Sequence, residues 1–200
     1  MRLSVTMLDS YLYWRDSEDM PLEDLLKRLR GEEPPSPAME AGRAFHKLLE
    51  HATAGELSVE EVDGWRFDFA LDGEIALPTI RELKAEHAME TPSGPVTLVG
   101  KVDALNGTTV HDYKLTERFD AERYADSYQW RSYLTIFGAT RFVYDVFECR
   151  CEESENKVWI YNYHRLVFSA YPGMAEDVQR EVNNLAGIVA QYVPELRTAA

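Results

Sequence analysis

The sequence is poor in cysteine, in basic charge and in long apolar runs. Its two cysteines, Cys149 and Cys151, sit together in FECRCEE. Two thiolates cannot complete a four-thiolate zinc or iron–sulfur site, so no thiolate cluster is expected. On a strand both thiols would point to one side, and two reduced thiols beside a sheet are the simpler reading. No apolar run approaches the roughly 18–20 residues of a membrane span. The opening MRLSVTMLDSYLYW lacks a basic segment followed by an apolar one, which argues against a secretory signal and sets the cytoplasm as the expected location. No phosphate-cradling loop of the form G-x-x-x-x-G-K-S/T occurs. Basic residues number 21 against 35 acidic ones, a net charge of −14. Such a balance counts against broad electrostatic binding of phosphates, although a cleft holding divalent cations and a few Lys or Arg is locally positive even on an acidic body.

What is present is an ordinary globular composition, with 45% hydrophobic and 28% charged residues. No internal repeat or long low-complexity linker interrupts it. Pro34, Pro35 and Pro37 punctuate residues 30–42 and make the clearest break. Before the break, PLEDLLKRLRG has the period of a short amphipathic helix. After it, residues 38–55 read as a helix with Phe45, Leu48 and Leu49 on the apolar face. Ser58 followed by Glu60 and Glu61 suggests a further short helix. Residues 65–70 alternate as a strand, and 83–90 are ambiguous. Residues 121–138 read as one helix closed by Gly138. Residues 141–150 and 156–168 are rich in aromatic and β-branched types and read as strands, and Ala175–Tyr192 as a last helix. The order suggests an α/β fold, a mixed central sheet flanked by helices, in one domain over 1–200.

The strongest local signal is VTLVGKVDAL (96–105), then Asn106-Gly107, then TTVHDYKL (108–115). Asn-Gly favours a two-residue turn with positive φ at both positions. With that pair as the whole loop, Leu105 faces Thr108, Asp103 faces Val110 and Lys101 faces Asp112. Lys101, Asp103, Val110, Asp112 and Lys114 then share a face, and Tyr113 and Leu115 point the other way into the core. Asp103 and Asp112 become diagonal neighbours about 7–8 Å apart at Cα. Two carboxylates this close share a proton or bind a cation. Taken alone, mixed charges on a hairpin face are more often a solvated surface with weak ion pairs.

Four pieces occur in order: G-x-x-x-H (Gly42, His46), G-x-x-D-A-L (Gly100, Asp103), D-Y-K (Asp112, Lys114) and Q-x-x-x-Y (Gln129, Tyr133). The ordered set, over roughly residues 36–140, resembles the RecB-like branch of the PD-(D/E)xK nuclease superfamily. LSVTMLDSY is also similar to that family's N-terminal segment. The resemblance implies a restriction-endonuclease-like core (α-β-β-β-α-β) in 36–150, with a C-terminal strand and helix in 151–200. It implies a metal-dependent DNA nuclease, an exonuclease rather than an endonuclease, in recombination, repair or phage DNA processing. A non-catalytic DNA-binding or assembly protein that kept the fold is the alternative.

By that resemblance Asp103, Asp112 and Lys114 are catalytic. His46, Asp103, Asp112 and the backbone carbonyl of Tyr113 hold Mg²⁺ or Mn²⁺, and Lys114 assists the attacking water. Oxygen ligands suit magnesium, and an imidazole among them suits manganese. Gln129 and Tyr133, four apart on one helix face, contact DNA. Gly42, a turn before His46, leaves room for backbone or phosphate to approach. Glu86 is either an outer ligand of the metal or a surface charge. His87, His111 and His164 have no motif context and read as structural. Iron–sulfur members of the branch need four cysteines, so no cluster is implied here. A strand-annealing recombination partner is implied by analogy with small stand-alone members, and oligomerisation is compatible with it.

Overall fold

The computed structural model describes residues 1–53, 57–71, 75 and 77–197. Strand β1 (Arg2–Ser4) leads into helix α1 (Val5–Asp16), followed by α2 (Leu22–Arg30) and α3 (Pro37–His51). Then come β2 (Val59–Val62), β3 (Trp65–Phe69), β4 (Ile80–Thr91), β5 (Gly94–Asn106) and β6 (Thr109–Thr116). Helices α4 (Ala121–Asp126) and α5 (Tyr128–Phe137) precede β7 (Arg141–Glu152), β8 (Lys157–Ser169) and α6 (Met174–Tyr192).

Among the described residues eight strands form one mixed sheet in the order β1-β5-β6-β7-β8-β3-β2, with β4 also paired to β5. The run α3–β4–β5–β6–α5–β7 follows the expected order of a helix, three strands, a helix and a strand. Helices α1, α2, α5 and α6 enclose one apolar core, built on Leu98, Val102, Phe142, Val146, Val182 and Leu185. The other face carries α3, whose Ala41, Phe45, Leu48 and Leu49 pack on Phe67, Tyr113, Phe147 and Ile160. Burying one such side chain stabilises the fold by roughly 1.5–3 kcal/mol, so each face of the sheet holds its helix layer.

Helix ends follow their capping residues. Ser4 and Ser36 accept the N–H groups of Met7 and Met39, starting α1 and α3, with Pro37 in the first turn of α3. Gly31 and Gly138 close α2 and α5 in the left-handed conformation. The expected single helix over 121–138 is broken at Ser127. Its hydroxyl accepts the Gln129 N–H at 3.0 Å and opens α5 afresh. Arg131 stabilises the break: Nη1 donates to the carbonyls of Ala125, Asp126 and Ser127 at the end of α4.

Other expectations are corrected by turn chemistry. The short helix after Ser58 is instead β2, because Asp63 and Gly64 both take positive φ (51° and 81°) and turn β2 back onto β3. The ambiguous segment 83–90 lies within β4. Helix α3 ends at His51; residues 54 and 55 of the longer expected helix lie outside the described residues. The β5–β6 hairpin is registered two residues from the expected pairing, with Asn106 opposite Thr109, Leu105 opposite Val110 and Ala104 opposite His111. A shift of two, unlike a shift of one, keeps Leu105 on the face of Val110, as the alternation requires.

Candidate functional site

The site lies where the sheet comes apart. One edge of β5 pairs with β4 from Gly94 to Leu105. On its other edge β1 covers Thr97–Val99, and β6 covers only Ala104–Asn106. Gly100–Asp103 are left without a ladder partner on that side. The facing of β5 also changes here. Val102 belongs to the core beneath α5 and α6, whereas Ala104, two residues on, belongs to the core beneath α3. A regular strand would put both on one face. Opposite Asp103, Glu82 of β4 holds a positive φ of 56°, a costly conformation for a residue with a Cβ. Leu83 pairs with Val102 and Arg81 with Ala104, which sets Glu82 at the level of Asp103.

Asp103 occupies the opening. Its Oδ2 accepts the backbone N–H of Tyr113 at 2.7 Å, in place of a β5 carbonyl. Its Oδ1 lies 3.0 Å from Nδ1 of His46, which reaches across from α3. Beside it Asp112, only 4% exposed, pairs its Oδ2 with Nζ of Lys114 at 2.7 Å. Among the described residues no donor is well aligned on that oxygen, so it is a buried acceptor with a nearby charge. Behind the site, on the α3 side, β6 is fixed by His111, whose Nδ1 lies 2.8 Å from Asp145 Oδ2; Tyr163 donates to the other carboxylate oxygen. His111 is thus part of a buried network, as the sequence suggested.

Charge in this cluster is resisted by burial and supported by neighbours. Burial pushes the Asp112 carboxyl up from 3.8 to about 6, against the pull of Lys114 and with the help of Asp103. For Lys114 burial opposes the charge, but Asp112, Asp103 and Asp9 outweigh it and raise its pKa. His46 behaves alike: burial opposes the imidazolium, and the Asp103 hydrogen bond and the two carboxylate charges raise its pKa above 6.5.

Asp9 is a member of the cluster that the sequence reading did not single out. It sits half-buried on α1, in the field of Lys114 and Asp112, and burial raises its carboxyl to about 7. The only cue was the N-terminal segment LSVTMLDSY itself. Parallel pairing of β1 with Thr97–Val99 launches α1 beside the opening in β5. Tyr144 of β7 is the other such residue: fully buried, its ring centroid is 5.9 Å from Lys114 Nζ and its hydroxyl donates to Gln129 Oε1 at 3.3 Å.

The remaining expected residues fall as follows. Gln129 is half-buried, and its side chain opposes the rise that burial gives the Tyr133 hydroxyl's pKa. The Tyr133 ring is buried, parallel to Phe142 at 6.0 Å, and it packs on Gly100. A Cβ at Gly100 would lie 2.9–3.0 Å from Ile136 and Tyr133, which accounts for this glycine. At Gly42 an added Cβ would meet nothing within 4 Å, so packing within the chain does not require this glycine. Lys101 does not join the shared face; its side chain is 60% exposed and paired with Glu82. Glu86 is exposed and held by Arg2 from β1, which makes it a surface charge.

The donors here are carboxylate oxygens and one imidazole nitrogen, a set suited to a hard or borderline divalent cation. The misaligned, buried Asp112 Oδ2 is the atom such a cation would satisfy. Among the described residues no three His, Cys, Asp or Glu side chains already converge on one point. Each acid is instead engaged, Asp103 by His46 and the Tyr113 N–H, and Asp112 by Lys114. A cavity of about 570 Å³ does not include the cluster; it is lined by Leu115 and Thr116 at the end of β6, by Arg118 and by Ala38 and Ala41 of α3.

The sequence matches no family model and no curated protein. Solved structures align with it at low identity. The crystal structure of SSO0001 aligns with a TM-score of 0.55 at 12% identity, over 94% of this chain and 76% of that one. An alkaline exonuclease, LHK-Exo from Laribacter hongkongensis, aligns at 0.45 and 12% identity, over 99% of this chain and 93% of that one. Its complex with dAMP aligns at 0.47 and 12%, over 98% and 92%. At such identities the likeness to SSO0001 is one of fold, and no residue role passes from any of these structures. The chain thus shares a helix-flanked mixed sheet with SSO0001, and at the opening in that sheet it gathers His46, Asp103, Asp112, Lys114 and Asp9.

Proposed function

We propose that this chain is a metal-dependent DNA nuclease with its reaction centre at Asp103, Asp112 and Lys114. The observation that carries the reading is the cluster itself: two acids from a parted hairpin, a half-buried lysine beside one and a histidine from another element on the other. Surface ion pairs do not bury a carboxylate and leave its oxygen without an aligned donor. His46, Asp103, Asp112 and the carbonyl of Tyr113 would hold Mg²⁺ or Mn²⁺, which would supply Lewis acidity and an activated water. Lys114, released from Asp112, would orient that water and offset charge developing on a phosphate oxygen. Asp9 would keep the lysine charged in that state. Gln129 and the hydroxyl of Tyr133 would face DNA, while the Tyr133 ring serves the core. The open flank at Gly42 leaves α3 free for a phosphate to approach.

The exonuclease reading, and a role in recombination, repair or phage DNA processing beside a strand-annealing partner, rest on the ordered motifs. Digestion of linear against covalently closed circular DNA, with Mn²⁺, Mg²⁺ or EDTA, separates the readings. Loss of linear DNA alone supports an exonuclease, and cutting of circles an endonuclease.

One observation favours a second reading. The acids are already partnered, and among the described residues no three metal-binding side chains converge, as a non-catalytic DNA-binding protein of the same fold would allow. Calorimetric titration with Mn²⁺ separates the two: binding at one site, lost in Asp112→Asn, supports the nuclease, and no binding supports the alternative.

A further inference from the structure

Beyond the cluster, the first half of β8 is exposed on one face of the sheet. Helix α3 covers the side bearing Phe67, Cys149, Val158 and Ile160. On the opposite side Trp159 and Tyr161 of β8 are 51% and 42% exposed, with ring centroids 6.1 Å apart. Residues directly opposite in a ladder share a face, so Trp159 stands beside Arg150 of β7 and Asp68 of β3. Asp68 is neutralised by Arg66 and Lys157, at 3.0 and 3.2 Å. Arg150 is exposed, and among the described residues its guanidinium has no hydrogen bond or ion pair. A β-bulge at Glu148/Cys149 re-aims the chain where Tyr161 projects.

This patch continues the face of the carboxylate cluster. Lys114 stands over the Tyr144 ring; Tyr144 meets Tyr124 at 5.0 Å, Tyr124 meets Phe119 at 6.1 Å, and Phe119 stacks on His164 at 3.7 Å. His164 faces Val146, and Val146 faces Lys114, across β8, β7 and β6. From strand rise and spacing, Trp159 lies on the order of 20 Å from Lys114.

We propose that Trp159, Tyr161 and Arg150 form a stacking platform for single-stranded DNA on the sheet face shared with the cluster. Exposed rings take the flat faces of bases, and a free guanidinium takes a phosphate. A duplex hides its base faces, so the pair selects a single strand. The charged rim of Arg66, Asp68, Arg150, Glu152 and Lys157 leaves no broad apolar area for a protein partner. The platform rests on the nuclease reading in that its strand enters or leaves that site.

The test is titration with an oligothymidylate of about 20 nucleotides in EDTA at low salt, followed by tryptophan fluorescence and anisotropy. Trp65 and Trp130 are buried and Trp14 half-buried, so Trp159 is the tryptophan that a stacked base quenches. Quenching in the wild type is expected to vanish in Trp159→Phe while affinity persists. Trp159→Ala and Tyr161→Ala are expected to bind at least about fivefold more weakly, at unchanged melting temperature. Unchanged affinity in both alanine variants, equal affinity for a duplex of the same length, or a shift of Trp159→Ala from dimer to monomer would each overturn the platform. Platform and nuclease fail separately. Quenching without Mn²⁺-dependent cleavage supports the platform alone. Cleavage with Trp159-independent binding refutes the platform and leaves the nuclease.

Discussion

Asp112 carries a charge that its surroundings resist. Its folded pKa of about 6 stands above its ordinary 3.8, and Asp9 rises to about 7. A carboxyl raised on folding contributes stability that is fully present below its unfolded pKa and is lost as pH rises through the folded one. The raised His46 works in the same direction. The melting temperature of the protein in EDTA should therefore fall between about pH 4 and pH 7, and Asp112→Asn should flatten the fall; a curve that rises over this window contradicts the assignment. A cation displaces protons from its ligands, so the Mn²⁺-induced gain in melting temperature should grow with pH over the same range. At Tyr133 the ring and the hydroxyl divide their work. Tyr133→Ala should cost roughly 3–5 kcal/mol through the cavity it leaves. Tyr133→Phe keeps the stack on Phe142, so it should preserve stability and weaken DNA engagement. Denaturant melts paired with binding assays distinguish the two, and a Tyr133→Phe protein that binds DNA as well as the wild type removes the hydroxyl from the site.

At the scale of elements, close packing decides what local pattern leaves open. Gly100 lets Tyr133 and Ile136 of α5 lie against β5. Gly100→Ala should destabilise by about 1–3 kcal/mol, measured by denaturant unfolding, because a buried ring must move to admit the methyl group. A neutral effect would mean that α5 is not seated as described. The hairpin, α2, α3, β7, β8 and α6 were legible because their periods and caps are local. Helix α1 was not, since its buried Val5, Leu8, Tyr11 and Leu12 lie among aromatic and polar residues and give no clear stripe. Strand β4 was ambiguous because most of it is half-buried or exposed and only Met89 is fully covered. The set His46, Asp103, Asp112 and Lys114 was legible from its motifs, whereas its pairing, His46 with Asp103 and Lys114 with Asp112, was not. The part of Asp9 was not, because only the tertiary placement of α1 gives it a partner. The splayed hairpin was equally hidden, since it needs β1 on the far half of β5.

Across the whole molecule, a charge of −14 surrounds the site. Two consequences pull together. The acidic field favours cations at the cluster and repels a polyanion from most of the surface. Binding of DNA should therefore rest on the few cationic contacts that the surface offers, and Arg150→Ala should reduce the slope of log affinity against log salt by about one contact. An unchanged slope would place the phosphate contacts elsewhere. The central claim is that the opening in the sheet is a metal-dependent nuclease centre. Its most direct test is digestion of linear DNA with Mn²⁺, Mg²⁺ or EDTA by the wild type and by Asp112→Asn, whose shape is conserved and whose folding is checked by melting. The account expects cleavage that needs a divalent cation and falls at least about 100-fold in the variant. Cleavage that survives in folded Asp112→Asn, or that proceeds in EDTA, would contradict it.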